Sequence, residues 1–388
     1  MRATTQTKEK EKVLIDDRGM LDLPFLILTL LLVTIGVIMM FSASYARAYA
    51  DEGNSAFYFW KQLRFALIGI AGMYAASRFN YQLWRPFSLF LAAGCFVLLL
   101  LTPLIGFEEG GATRWIAVPG LGSFQPSEVA KLAVVLLFAN MISNFREKMN
   151  SFRYGVLPFA GVLAVTAGLL ALEPHLSATL IIGATGAVMM FLGGTPKKWF
   201  LIGFGVALVG AALYLAIFPY AAARLESWRD PFSDPSDSGL QLVQSLYAIG
   251  SGGLMGLGFG KSRQKYLYLP EEHNDYIFAI VCEELGFIGA VVIILLFVLL
   301  IVRGFLIAQR ARDRFGTLVA AGLSTLLALQ VFFNIGVVTN FLPSTGISLP
   351  FFSYGGTALM MQLGEMGIIL NISRNTKRNL QQVREATP

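Results

Sequence analysis

Cysteine, histidine and charge are all scarce in this chain, and each scarcity closes off a class of function. Its two cysteines, Cys95 and Cys282, both lie inside apolar runs, so neither a disulfide framework nor a thiolate metal site is expected. The two histidines, His175 and His273, stand far apart in sequence, which argues against a histidine-rich metal site. Charged residues make up 14% of the chain against 55% hydrophobic, and the apolar residues come in long runs. The net charge of +6 does not point to nucleic acid, because the lysines and arginines sit in short loops between those runs. Nucleotide signatures fail as well. GxGxxG is absent in every register, and the first glycine of GxxxxGK[ST], read back from Gly260-Lys261-Ser262, falls on Met255.

What the chain does have is length of apolar sequence. Runs of about 17–25 apolar residues match a bilayer core of about 30 Å. They are continuous rather than alternating, so helices are expected and not the strands of a barrel. Ten spans are read: Leu23–Phe41, then 63–78, 87–105, 126–143, 156–172, 175–192, 199–218, 276–302, 317–341 and 352–370. The second and fourth are weak, interrupted by Arg64 and by Glu128 and Lys131. Ten spans put both termini on one side. With that side cytoplasmic, and with Arg64 and Arg78 at the ends of the second span counted with the adjoining loops, twenty Lys and Arg fall in the tails and inner loops and nine in the outer segments. The expected class is therefore an all-α polytopic protein of the plasma membrane. Its cytoplasmic tails are 1–20 and 374–388, its membrane domain is 21–373, and one large outer loop, 219–274, joins helices seven and eight.

That loop carries turn signals at Asp230-Pro231 and Asp234-Pro235. Ser236–Ser238 is placed to cap a helix through Leu240–Ile249, where Leu242, Val243, Leu246 and Ile249 recur at helical spacing. The glycine-rich stretch Gly250–Ser262 follows and reads as a flexible re-entrant connection. No internal repeat is visible.

Function concentrates where this loop meets the eighth span, in KSRQKYLYLPEEHNDYIFAIVCEELG (261–286). Five carboxylates (Glu271, Glu272, Asp275, Glu283, Glu284) fall within fourteen residues, beside His273. Ionisable groups at membrane depth are costly and mark a pathway or a reaction centre. With a helix starting at Tyr276, Asp275 shares a face with Ala279, Cys282, Gly286 and Gly289. That small-residue stripe suits close helix packing and turns Asp275 into the bundle. Three further stretches combine polar residues with glycine or proline: GATRWI (111–116), FQPSEVAK (124–131) and PSTGISLPFFSYGG (343–356). Glycine and proline at this density let a backbone break and re-enter at membrane depth.

Together these stretches resemble the signature of the SEDS family (shape, elongation, division and sporulation; FtsW/RodA-like). The resemblance runs from about Leu21 to Ser373, with a lean towards the division and sporulation branch in GKSRQKYLYLPE and Ser42-Ala43-Ser44. It implies a ten-helix membrane glycosyltransferase that polymerises lipid II into glycan strands and releases undecaprenyl diphosphate. It also implies a class B penicillin-binding transpeptidase as partner, with other divisome or elongasome membrane proteins and membrane lipid around it. The family's essential aspartate falls on Asp275, the tryptophan of its outer RW pair on Trp115, and the lysine after its QPSE motif on Lys131. Two departures are visible: HTDF reads His273-Asn274-Asp275-Tyr276, and the QPDLGT-like turn reads Glu173-Pro174-His175-Leu176-Ser177-Ala178-Thr179, which loses an aspartate.

On this reading Asp275 is the general base for the acceptor sugar's 4-hydroxyl. The leaving diphosphate needs positive charge from Arg114, Lys131, Lys261, Arg263 or Lys265, or from a divalent cation, magnesium or manganese, held by carboxylates. Glu271 and His273 beside Asp275, with Ser353 and Tyr354 in the last outer turn, complete the expected substrate-binding set. Each residue also has a plainer reading. Asp275 could be a solvated helix cap, Lys131 a partner of Glu128 at i,i+3, Trp115 an interfacial belt residue, Arg114 a solvated charge and His175 a packed polar group. Glu283 and Glu284, about 12–13 Å below Asp275, suit structural hydrogen bonding better than chemistry. Two other functions remain open. One is a flippase for lipid II without bond chemistry, which needs polar groups along the whole path. The other is a scaffold, which leaves Asp275 and Lys131 without a purpose.

Overall fold

Two apolar helices set the frame, one at each extreme of burial. The computed structural model describes residues 19–109, 112–118, 122–217, 225–233 and 239–376. Most of the tails read from the sequence, the start of the long loop and the Ser236–Ser238 cap lie outside these residues. In chain order the helices are α1 (Leu23–Glu52), α2 (Phe57–Arg78), α3 (Trp84–Ile105), α4 (Pro126–Phe145), α5 (Leu157–Leu172), α6 (Leu176–Gly193), α7 (Lys197–Ile217), α8 (Leu240–Gly252), α9 (Ile277–Arg310), α10 (Arg314–Val338) and α11 (Gly356–Arg374). The α10 helix is 72% buried over its apolar window and forms the centre, packed on α9, α6 and α4. The α7 helix has 0% of its apolar window buried and lies at the edge of the bundle, touching it through Trp199 and Phe200.

Local chemistry sets several ends. Asp22 caps α1 by accepting from Phe25 N at 3.1 Å, with Pro24 in the first turn, and Gly53 at φ +66° ends the helix. Asp313 caps α10 by accepting from Gly316 N at 3.0 Å. The α1 helix runs well past the expected end at Phe41, because Ser42, Ala43 and Ser44 are buried against the bundle rather than exposed at a terminus. Charge at the other pole is paired: Arg303 Nε meets Asp22 Oδ1 at 2.8 Å, and Tyr81 and Gln82 both donate to Asp313.

Among the described residues, eight helical segments are long and apolar enough to cross a membrane, and the chain is a multi-pass membrane protein. The α2 and α11 helices fall outside that set. Lys61 and Arg64 interrupt α2, while α11 buries Gln362, Glu365 and Asn371. These two helices pack extensively on each other. The all-α expectation needs one amendment. Between α3 and α4 lies a three-stranded antiparallel sheet of β1 (Phe107–Glu109), β2 (Ala112–Val118) and β3 (Gly122–Phe124), with Phe107 opposite Trp115 and Ile116 opposite Phe124. Strands this short leave too brief a period-two pattern to be read from sequence.

Candidate functional site

Asp275 is placed by backbone bonds from three separate elements. Glu271, at φ +58°, turns the chain, and its carbonyl accepts from Asn274 N at 3.1 Å and Tyr276 N at 3.3 Å. Ser353 Oγ donates to Asn274 O at 2.8 Å, and Tyr354 N donates to His273 O at 2.8 Å. From α10, Asn334 Nδ2 donates to Asp275 O and to Ile347 O, each at 2.7 Å. His273 stacks on Tyr58 of α2 with ring centroids 5.2 Å apart, and Tyr354 meets the same ring at 5.0 Å. Ser353 and Tyr354 therefore hold the backbone that presents the carboxylate.

The half-buried carboxylate of Asp275 looks at a tight turn. Gly346 has φ +68°, and a methyl group added there would sit 3.2 Å from Asp275 Oδ2 and 3.9 Å from Ser177 Oγ. The Ser177 hydroxyl donates to Thr345 O. The divergent turn 173–179 thus reaches the site through Ser177, although it lacks the expected aspartate. Asp275 shares its surroundings with Gly346 and Ser177, while the glycine stripe expected below it is interrupted. Gly286, at φ +69° and ψ −172°, breaks α9 there.

A second polar group lines the bundle nearby. Lys131 Nζ lies 2.7 Å from Glu128 Oε2, and the two side chains are only 6% and 9% exposed. Glu365 of α11 is buried and interacts electrostatically with both. Arg114 Nε donates to Glu173 O at 3.1 Å, and its terminal nitrogen donates to Pro174 O, so Arg114 clamps the turn before α6. Trp115 follows it in β2. Inside that turn both Glu173 carboxyl oxygens and His175 Nδ1 are buried without a hydrogen-bond partner. Thr102 stands beside Glu173, but its hydroxyl donates to Leu98 O at 2.8 Å. Burial pushes the Glu173 carboxyl up to about 7 against a smaller opposing pull from Arg114. Burial, with Arg114 and Lys131 nearby, takes the His175 imidazole down to about 3.

The glycine-rich stretch is held firmly by the chain itself. Leu257 N and Gly258 N donate to Glu283 O and Glu284 O at 2.9 and 3.0 Å, and Phe287 N and Ile288 N donate to Gly253 O and Leu254 O. These bonds fill the gap left by the break at Gly286, which is how irregular backbone is tolerated at membrane depth. A Cβ on Gly256 would fall 2.1 Å from Glu284 O, so only glycine fits. Where a flexible connection was expected, loop and helix share their backbone bonds. Glu283 and Glu284 fill the hydrogen-bonding role expected of them. Glu284 accepts from Ser42 Oγ at 2.7 Å, Gly260 N at 3.0 Å and Ser262 N at 3.3 Å; Glu283 accepts from Ser262 Oγ, Arg263 N and Gln264 N.

Of the basic candidates, Lys265 is committed inside the protein. Its ammonium reaches Glu284 Oε1 at 3.0 Å, Ser42 Oγ at 3.1 Å and Gly260 O at 2.6 Å, using all three protons. That corrects its placement among the diphosphate ligands. Lys261 and Arg263 point outward, and Arg263 lines an open cleft of about 580 Å³ with Gln264, Tyr266 and Tyr268. Among the described residues no three His, Cys, Asp or Glu side chains are grouped to hold a metal ion. Sequence reasoning missed Asn334, Ser177, Ser42 and Glu365. Glu365 had a signal, an ionisable residue inside an apolar span. Asn334 and Ser177 had none, since their partners are backbone carbonyls remote in sequence.

This arrangement defines a multi-pass membrane protein whose chemistry-bearing side chains gather between helices, around one carboxylate held by backbone bonds. The profile of the FtsW, RodA and SpoVE cell cycle proteins matches residues 22–378, and the chain belongs to this family. Stage V sporulation protein E of Bacillus subtilis is 42% identical over 361 residues, spanning 92% of this chain and 98% of that protein. The probable peptidoglycan glycosyltransferase FtsW of Geobacter sp. (strain M18) is 40% identical over 355 residues, spanning 91% and 96%. Among solved structures, a chain from "Structural coordination of polymerization and crosslinking by a peptidoglycan synthase complex" superposes with a TM-score of 0.77 at 28% identity, covering 91% of this chain and 98% of that one. The rod shape determining protein RodA of Thermus thermophilus gives a TM-score of 0.69 at 26% identity, covering 92% and 98%.

Proposed function

We propose that this protein is a peptidoglycan glycosyltransferase that polymerises lipid II at the outer boundary of the membrane. The observation that carries the reading is the half-buried Asp275 carboxylate, presented on a backbone that Asn334, Ser353 and Glu271 hold, in a chain of the FtsW, RodA and SpoVE family. Asp275 takes the proton from the acceptor 4-hydroxyl as that oxygen bonds to the donor's anomeric carbon. The bond from that carbon to the diphosphate breaks, and undecaprenyl diphosphate leaves with the electron pair. Lys131 inside the bundle, and Arg114, Lys261 and Arg263 at its mouth, are the cations offered to the leaving group. Trp115, Glu271, His273, Ser353 and Tyr354 shape the binding surface around them.

On this reading α2 and α11 cross the membrane with the eight apolar segments. Ten spans then place both termini in the cytoplasm and 219–274 outside. A class B penicillin-binding transpeptidase packs beside the bundle, as the similarity to a chain of a peptidoglycan synthase complex supports. The test is incubation of purified full-length protein with labelled lipid II, alone and with its transpeptidase. Glycan polymer in the second reaction supports the assignment. Lipid II moved across vesicles with no polymer formed would favour the flippase instead.

A further inference from the structure

We propose that Glu283 and Glu284 act as an internal anion locking the outer loop, and that Glu284, through Lys265 and Ser42, is a positioning residue for Asp275. This rests on the reading of Asp275 as the base. The sequence Gly260-Lys261-Ser262-Arg263-Gln264 ends like a phosphate-binding loop, and successive backbone N–H groups of that kind make a nest for an anion. Here the nest is already filled. N–H groups of Gly260, Ser262, Arg263 and Gln264, the hydroxyls of Ser42, Ser251 and Ser262, and the Lys265 ammonium all converge on the two carboxylates. Both glutamates are 1% exposed, and charges so deeply buried persist only when their oxygens are satisfied.

The consequence for Asp275 follows from the break at Gly286. That glycine separates the segment 277–285 from the rest of α9. Asp275 stands just before this short helical piece, and Glu283 and Glu284 stand near its other end. The piece is therefore fixed at both ends. Asn334 and Ser353 hold the Asp275 end, and the glutamate nest holds the other and ties it to α1 through Ser42. Releasing the nest lets the piece tilt, which moves the carboxylate relative to Gly346 and Ser177.

The test uses full-length protein with its transpeptidase in lipid nanodiscs. Glu284→Gln keeps the size but turns an amide NH2 either towards the Gly260 N–H or towards the Ser262 N–H and the Lys265 ammonium. The expected result is a fall in kcat for lipid II polymerisation of about 10- to 100-fold, the scale of a small misplacement of a catalytic group. Lipid II binding falls much less than kcat, trypsin cuts faster after Lys261 and Arg263, and Glu284→Asp recovers part of the rate. Ser42→Ala, which removes one hydroxyl from α1, gives a smaller loss in the same direction and serves if Glu284→Gln does not fold. Wild-type kcat in both variants, a proportional loss of binding and rate, or a kcat loss without faster cleavage would each overturn the latch. The base reading is checked separately with Asp275→Asn. An inactive Asp275→Asn beside a fully active Glu284→Gln sinks the latch alone, while an active Asp275→Asn removes the base and the latch together.

Discussion

One amide of Asn334 is shared between Asp275 O and Ile347 O, each at 2.7 Å, so a single α10 side chain sets the spacing between the carboxylate's backbone and the turn it faces. Asn334 is 1% exposed, so both bonds start from a side chain in the protein interior.

Asn334→Ala should therefore leave two carbonyls unsatisfied, at a cost of about 1–3 kcal/mol each before relaxation. Asn334→Asp should be worse, because it turns oxygen lone pairs towards carbonyl oxygens. Thermal unfolding and polymerisation should both fall, with Asp below Ala. Wild-type polymerisation in both variants would mean that this bridge does not place Asp275.

The Glu128–Lys131 pair separates structure from substrate contact. Removing one partner of a buried pair costs about 3–5 kcal/mol, whereas replacing both with neutral groups of similar size is close to neutral. Glu128→Gln and Lys131→Met should each lower the Tm, and the double variant should recover it. If Lys131 also meets the diphosphate, the double variant stays inactive despite normal stability. Recovery of activity along with stability would assign Lys131 a structural role only.

The Glu173 turn predicts a pH dependence with two opposing parts. The Glu173 carboxyl, raised from 4.5 to about 7 by burial, keeps its proton in the folded protein over a range where the unfolded chain has lost it. Its contribution to stability therefore falls as pH rises from about 4.5 to about 7. The His175 imidazole, lowered from 6.5 to about 3, has the opposite slope, losing stability as pH falls below 6.5. The two largely cancel between pH 4.5 and 6.5. In Glu173→Gln only the histidine slope remains, so its Tm should drop on acidification from pH 7 to pH 5 while the wild type changes little. Parallel curves for the two proteins would contradict the assigned protonation states.

For the topology, a cysteine at Ser236 should react with an impermeant reagent on intact cells, and one at Ser151 should not. The reverse pattern would invert the proposed orientation.

Much of the fold was legible because lipid demands a simple code. Continuous apolar runs marked α3, α5 and α6 within a few residues at both ends and the starts of α1 and α9, and the 240–249 pattern marked α8. What escaped is what apolar content does not encode. The sheet at 107–124 is too short for its period to register. The break at Gly286 depends on Gly253–Gly258 lying against it, which no local pattern around α9 reveals. Asp275 stands out in the sequence as a carboxylate at a helix mouth, and Lys131 as a lysine that interrupts a span. Lys265 looked like its exposed neighbours Lys261 and Arg263. Its inward turn depends on Glu284 and Ser42, which are 19 and 223 residues away. Asn334 and Ser177 act through remote carbonyls, a relation that only the folded chain displays.

The most direct test of the central claim is polymerisation of labelled lipid II by Asp275→Asn, normalised to folded protein and read beside lipid II binding. The substitution keeps the side chain's size and shape but removes its ability to take a proton. Loss of a general base costs about 10²–10⁴-fold in rate, so polymer should nearly vanish while binding and folding persist. Polymerisation at the wild-type rate, or binding and activity lost in proportion, would contradict the assignment of Asp275 as the base.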